Sequence, residues 1–174
     1  MPRLTSLLAL TATVVGLASV TGSTGVTAAS HHPALLQHSA PERWAPPLGR
    51  PVEVSAPYRA PTHRYGAGHR GIDLPATPGE TVLAPVPGVI SFAGTVVDRG
   101  VISIRVDART VVSLEPVLPE VAAGETVLRG QRLGRTGEGG HCLAECLHLG
   151  LRIDDEYAGP MRHLVNRPIL LPWE

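Results

Sequence analysis

From Pro51 onward the chain holds a hydrophobic period of two, in short runs. Val52-Glu53-Val54-Ser55, Val101-Ile102-Ser103-Ile104-Arg105-Val106 and Leu147-His148-Leu149-Gly150-Leu151-Arg152 alternate in the manner of half-buried strands. Pro87-Gly88, Asp98-Arg99-Gly100 and Asp107-Ala108-Arg109 are turn signals between such runs. No segment keeps a helical period with caps at both ends, and Gly 19 with Pro 17 is too much of both for a helix bundle. The expected fold is mainly β, an antiparallel sandwich or barrel over residues 51–168, with residues 169–174 as a tail. A length of 174 residues suits one such domain plus leader and linker.

Gly79-Glu80-Thr81-Val82-Leu83 recurs unchanged as Gly124-Glu125-Thr126-Val127-Leu128. The first copy runs on to Pro87-Gly88-Val89-Ile90 and the second to Gly130-Gln131-Arg132-Leu133-Gly134. An acidic Gly turn followed by a Gly-bounded strand, used twice, predicts two related β units, though two copies do not make a repeat array.

Ahead of the domain, Leu4 to Pro41 carries no Asp, Glu, Lys or Arg. Arg3, the apolar stretch Leu7 to Val20 and the small residues ending in Val26-Thr27-Ala28-Ala29 read as a secretory signal peptide over residues 1–29. The stretch falls short of the ~20 strongly apolar residues a spanning helix needs, so no stable membrane span is expected after cleavage. Residues 30–50, with Pro33, Pro41, Pro46 and Pro47, read as an extended linker; His31, His32 and His38 within it are given no role. The formal charge is zero, which gives no nucleic-acid footprint. All 15 basic residues are Arg, so chemistry needing a Lys amine, such as a Schiff base or a lipoyl attachment, is excluded.

Two places carry groups able to do chemistry. His69 and Asp73 lie four apart in Gly68-His69-Arg70-Gly71-Ile72-Asp73-Leu74. In a flat strand they would sit about 13 Å apart, too far to share an ion, but Gly71 permits a bend or bulge between them. In Cys146-Leu147-His148-Leu149-Gly150-Leu151-Arg152-Ile153 the leucines take the core face, which puts Cys146, His148, Gly150 and Arg152 together on the other. Arg152 reads as a solvated strand charge, with Asp73 or an anionic substrate group as its alternatives. His63, Arg64, Tyr58 and Tyr65 read as exposed loop residues that could line a groove, and His163 as part of a terminal turn or short helix.

The order Gly-His-Arg-Gly-Ile-Asp-Leu, then Gly130-Gln131-Arg132-Leu133-Gly134, then Leu147-His148-Leu149-Gly150 resembles the lysostaphin-type (LytM) zinc metallopeptidases over roughly residues 55–168. The resemblance implies a duplicated β hybrid fold, one zinc ion, and peptidoglycan crosslinks as substrate. Carried over position by position, it makes His69, Asp73 and His148 the metal ligands. Two imidazoles and a carboxylate with one open position make a sound catalytic zinc set.

The chain also departs from that family. Cys146 stands where the family's His-x-His has its first histidine, and the stretch Val112-Ser113-Leu114-Glu115-Pro116-Val117 lacks a further family histidine. Glu115 and His141 are the candidates to replace the proton-handling groups. Two cysteines in an exported chain favour a Cys142–Cys146 disulfide, which would consume the Cys146 thiol. The rival is Cys146 as a fourth zinc ligand that closes the site. Three readings follow: an exported zinc endopeptidase of the cell wall; a catalytically degenerate wall module that binds peptidoglycan or regulates a partner hydrolase; and, should the ligands not converge, a structural β domain without metal.

Overall fold

The computed structural model describes residues 43–63 and 65–165. The expected signal peptide, most of the expected linker, the C-terminal tail and Arg64 lie outside them. Ten strands are present among the described residues: β1 (Gly71–Pro75), β2 (Thr81–Leu83), β3 (Gly88–Val96), β4 (Arg99–Arg105), β5 (Thr110–Glu115), β6 (Val117–Pro119), β7 (Thr126–Val127), β8 (Arg132–Thr136), β9 (Cys146–Ile153) and β10 (Glu156–Tyr157). A 3₁₀ turn covers Gly140–Cys142, and a single helical turn, α1 (Met161–Leu164), follows β10. All pairings are antiparallel. The larger sheet runs β1-β9-β5-β4-β3-β7, with β10 also on β9, and the smaller runs β2-β8-β6. The expected antiparallel β architecture is present as two sheets, neither closed into a barrel.

The leucine face of β9 packs inward as its alternation dictates. Leu147, Leu149 and Leu151 are fully buried, in one core with Ile72 and Leu74 of β1, Val112 and Leu114 of β5, and Val82 and Leu133 of the smaller sheet. Trp44 also belongs to this core, and its indole stacks on His163 at 4.7 Å. The packed part of the chain therefore takes in residues 43–50, which composition alone assigns to the linker. Val52-Glu53-Val54-Ser55 forms no strand, and the residues after it make only isolated bridges, Ala56 to Asp73 and Arg59 to His69. Pro51, Pro57 and Pro61 deprive it of the donors a ladder requires.

The repeated pentapeptide is one device used twice. Gly79 N–H donates to Thr136 O and Thr136 N–H to Glu80 O; Gly124 N–H donates to Ile90 O and Ile90 N–H to Glu125 O. In each copy the glutamate carboxylate accepts from the backbone N–H three residues earlier, Thr77 at 2.7 Å and Ala122 at 3.2 Å. Gly79 (φ 92°) and Gly124 (φ 90°) hold the same left-handed turn, where a side chain would be strained. One copy leads into β2 of the smaller sheet, the other into β7 of the larger.

Asp107 caps the β4–β5 turn, its carboxylate accepting from Arg109 N–H and Thr110 N–H. The β3–β4 hairpin turns at Val97-Asp98, one step before the expected Asp98-Arg99-Gly100, because Arg99 and Gly100 already pair with Val96 and Thr95.

Candidate metal centre

The face of the larger sheet opposite the core carries the site. Asp73 and His148 are direct partners in the β1–β9 ladder, and Glu115 is the partner of His148 on the β5 side. Two residues along, Gly71, Gly150 and Ser113 form a second row of small residues across the same strands. Paired positions in an antiparallel ladder share a face, so these rows adjoin.

His69 reaches the cluster from outside β1. It lies two residues before the strand, held by reciprocal backbone hydrogen bonds with Arg59. Between the bridges Arg59–His69 and Ala56–Asp73, four steps of the ligand segment oppose three of its partner, so one extra residue lies between the two ligands, while on its other side β1 pairs with β9 without a break from Gly71 to Pro75. Gly71 lies in this irregular stretch and also gives clearance. A Cβ there would stand 2.6 Å from His148 Nε2 and 2.2 Å from the Leu149 carbonyl oxygen, so only glycine lets the imidazole lie over β1.

The donor atoms converge. His148 Nδ1 lies 2.7 Å from Asp73 Oδ1, His69 Nε2 lies 3.0 Å from the same oxygen, and the two ring nitrogens are 3.2 Å apart. Four donors around a tetrahedral zinc at ~2.0–2.1 Å stand about 3.3 Å from one another, so these separations match the edges of such a site. The protonation pattern agrees. His69 Nδ1 lies 2.8 Å from the Pro57 carbonyl, which can only accept; Nδ1 therefore carries the proton, and in the neutral ring Nε2 presents a bare lone pair. Lone pairs of an imidazole and a carboxylate aimed at one small volume repel unless a cation lies between them. The residues fit a divalent metal.

His141 completes the group. Its Nε2 is 3.0 Å from Asp73 Oδ1, and donor atoms of His69, Asp73, His141 and His148 all lie within 4.8 Å of one another. The side chains of His69, Asp73 and His148 are 12%, 8% and 10% exposed, against 49% for His141, so the cluster opens on the His141 side. Burial by itself would raise the Asp73 pKa, but hydrogen bonds to His148 and His141 and their charge outweigh it and hold the carboxyl at about 2. The carboxylate is thus ionised and ready as a ligand at any physiological pH.

Cys142 and Cys146 form a disulfide that ties the 3₁₀ turn carrying His141 to the first residue of β9. No free cysteine remains among the described residues, which removes the alternative of Cys146 as a zinc ligand. The turn is also fixed by Gly140 N–H donating to Asp98 Oδ2 at 3.1 Å.

Glu115, the other proton-handling candidate, lies on the site face but outside the donor group; its Oε2 is 3.1 Å from Arg99 Nε. Arg152 is 3.8 Å from Asp155 and is not paired with Asp73. His63, Tyr58 and Tyr65 do line a cleft. His163 has a packing role against Trp44, and burial, with Arg162 beside it, lowers its pKa. Sequence reasoning passes over the Pro57 carbonyl and the Arg99 partner of Glu115. A backbone acceptor leaves no mark in residue type, and the Arg99 pairing depends on how β3 and β4 return to β5.

The fold is thus a two-sheet β domain whose His/Asp cluster, at β1 and β9, makes a candidate metal centre. Residues 67–160 match Peptidase family M23, and the chain belongs to that family. Among curated proteins it is 31% identical over 140 residues to the uncharacterized protein Rv2891 of Mycobacterium tuberculosis (strain ATCC 25618 / H37Rv) and, equally, to the uncharacterized protein Mb2915 of Mycobacterium bovis. These matches cover 77% of this chain and 56% of each relative, so the chain spans little more than half the length of the curated relatives it matches. Among solved structures the fold is similar to lysostaphin (TM-score 0.56, 24% identity, 69% of this chain and 52% of that one). It is also similar to a chain of the SpoIIQ-SpoIIIAH pore forming complex (TM-score 0.60, 18% identity, 72% of this chain and 92% of that one).

Proposed function

We propose that this chain is an exported zinc metalloendopeptidase that cuts peptide crosslinks of peptidoglycan. The observation that supports it most is the convergence of His69 Nε2, His148 Nδ1 and Asp73 Oδ1 within 3.2 Å of one another on one open face. When bound there, a zinc ion polarises the scissile carbonyl and lowers the pKa of its water toward ~7. The chain's own residues supply the rest. Pro57 fixes the His69 tautomer through Nδ1, and Gly71 leaves the space in which the His148 ring is oriented. His141, half exposed at the mouth, would accept and return a proton in the role for which the family uses the histidine that Cys146 replaces. The signal peptide over residues 1–29 would carry the chain to the wall, where the substrate lies.

A second reading, a degenerate wall module that binds peptidoglycan or regulates a partner hydrolase, draws on a different observation. Glu115 is engaged by Arg99, and the Cys146 thiol is spent in a disulfide, so His141, its Nε2 on Asp73 Oδ1 at 3.0 Å, is the one candidate left at the cluster to handle a proton. Digestion of purified muropeptides decides between the two. Cleavage by the wild type that disappears in His69→Ala supports the peptidase; binding to sacculi without cleavage by either supports the module.

A further inference from the structure

The imidazole of His141 is half exposed, and its polar contact with the ligand cluster is a single one, Nε2 to Asp73 Oδ1 at 3.0 Å. The rings of His69 and His148 meet it edge-on. Such a ring stands where the backbone of its turn, Gly140–Cys142, puts it. The far end of that turn is tied by the Cys142–Cys146 disulfide. The near end is Gly139-Gly140, at φ 98° and 59°, two residues that without side chains hold no conformation by themselves.

What holds the near end comes from another part of the chain. The β3–β4 hairpin turns at Val97-Asp98, and its tip meets the two glycines. Asp98 Oδ2 accepts from Gly140 N–H at 3.1 Å, while Asp98 Oδ1 accepts from Arg99 Nη1 at 3.4 Å. One oxygen is thus steadied by the neighbouring guanidinium and the other is offered to the turn. The Gly140 N–H is also the main reason the Asp98 carboxyl titrates below its ordinary value. The backbones close in as well. A Cβ on Gly139 would stand 2.3 Å from the Asp98 carbonyl oxygen, and one on Gly140 would stand 2.4 Å from Arg99 Cδ. Arg99 then runs on to Glu115, the ladder partner of His148. The hairpin tip is itself strained, since the β-branched and exposed Val97 sits at φ 60°. A conformation of that kind persists where its surroundings over-determine it.

We propose that Asp98 is a positioning residue for His141: its carboxylate, with the Arg99 stem seated on Gly140, sets where the His141 imidazole stands over the ligand cluster. For its effect on rate the inference rests on the peptidase reading, in which His141 handles the proton; the placement of the ring stands apart from that reading. The disulfide limits how far the turn can travel, and the bond to Gly140 fixes how its first residue faces. An amide oxygen at position 98 can accept the same bond but gives up the Arg99 contact, whereas a methyl group accepts nothing. Misplacing a reacting group by ~1 Å costs up to ~10²-fold in rate.

The test compares Asp98→Ala and Asp98→Asn in the whole protein, each alone and combined with His141→Ala. The Asp98 side chain is exposed, so neither change opens the core. The His141 ring is followed by NMR through its Cε1–H signal, assigned by its absence from His141→Ala. In Asp98→Ala that signal shifts or broadens while those of His69 and His148 stay in place, and in Asp98→Asn it lies closer to its wild-type position. In muropeptide digestion, Asp98→Ala lowers kcat by about tenfold or more with KM and zinc content unchanged, and Asp98→Asn recovers part of the loss. Added to His141→Ala, Asp98→Ala lowers the rate no further, because it acts through the residue already removed. An unmoved His141 signal, a shift shared by all three histidines, an unchanged kcat, or a loss that persists on top of His141→Ala overturns the inference. A wild type that cuts no muropeptide sinks the peptidase reading instead, and the ring signal alone then decides for or against Asp98.

Discussion

Asp73 and His148, 75 residues apart in sequence, are paired directly across β1 and β9, and Oδ1 of one lies 2.7 Å from Nδ1 of the other. The register of one ladder therefore sets two ligands at once. A slip of β1 by one residue would turn Asp73 onto the core face and away from His148, so the register of the sheet and the integrity of the site are linked.

That dependence makes Gly71 a sharp test. Gly71→Ala puts a Cβ 2.2 Å from the Leu149 carbonyl and 2.6 Å from the His148 ring, contacts that only a shift of β1 against β9 relieves. Overpacking of this kind costs about 1–3 kcal/mol, and zinc affinity falls with it. Gly79→Ala, at φ 92° with no atom within 4 Å of the new Cβ, costs about 1 kcal/mol through backbone strain and leaves zinc affinity unchanged. Urea unfolding and zinc titration of the two variants measure both effects.

The disulfide gives a second prediction. Opening a loop this short costs about 2 kcal/mol on the chain-entropy account. Cys142→Ser with Cys146→Ser, or reduction of the wild type, frees the turn that carries His141 while His69, Asp73 and His148 remain. Zinc stays bound, and the rate of muropeptide cleavage falls by about 10²–10⁴, the contribution expected of one positioned proton-transfer group. His141→Ala gives the same loss without the loss of stability. Metal analysis beside initial rates separates these effects.

Acid stability of the metal-free protein follows from Asp73. Its folded-state pKa of about 2 lies below the ordinary value of 3.8, so its ionised form contributes stability above pH ~4, and that contribution is lost as pH falls toward 2. Asp73→Asn flattens this part of the profile. Urea midpoints between pH 5 and pH 2 for the two proteins test the sign.

Much of this was legible in the residues, for identifiable reasons. The β9 alternation is a local signal, and it assigns Leu147, Leu149 and Leu151 to the core and His148 and Arg152 to the site face without reference to any other strand. The repeated Gly-Glu-Thr-Val-Leu is local in the same sense, since each copy closes its own turn. The three ligands come from resemblance to known peptidases, because spacing alone leaves His69 and Asp73 about 13 Å apart in an extended chain. Between the Arg59–His69 and Ala56–Asp73 bridges the ligand segment carries one extra residue, set against a stretch whose prolines make it read as structureless. Trp44 was hidden in the same way: one aromatic among prolines carries no period, yet it fills a place in the core. The Glu115–Arg99 pair was out of reach because it depends on long-range packing.

The central claim is that His69, Asp73 and His148 hold one zinc ion, and metal analysis of the purified protein with and without His148→Ala tests it most directly. The account predicts one zinc per chain in the wild type, loss of that zinc in the variant, and a melting temperature that a chelator lowers only in the wild type. A folded wild type that binds no zinc, or a variant that binds it as tightly, would contradict the account.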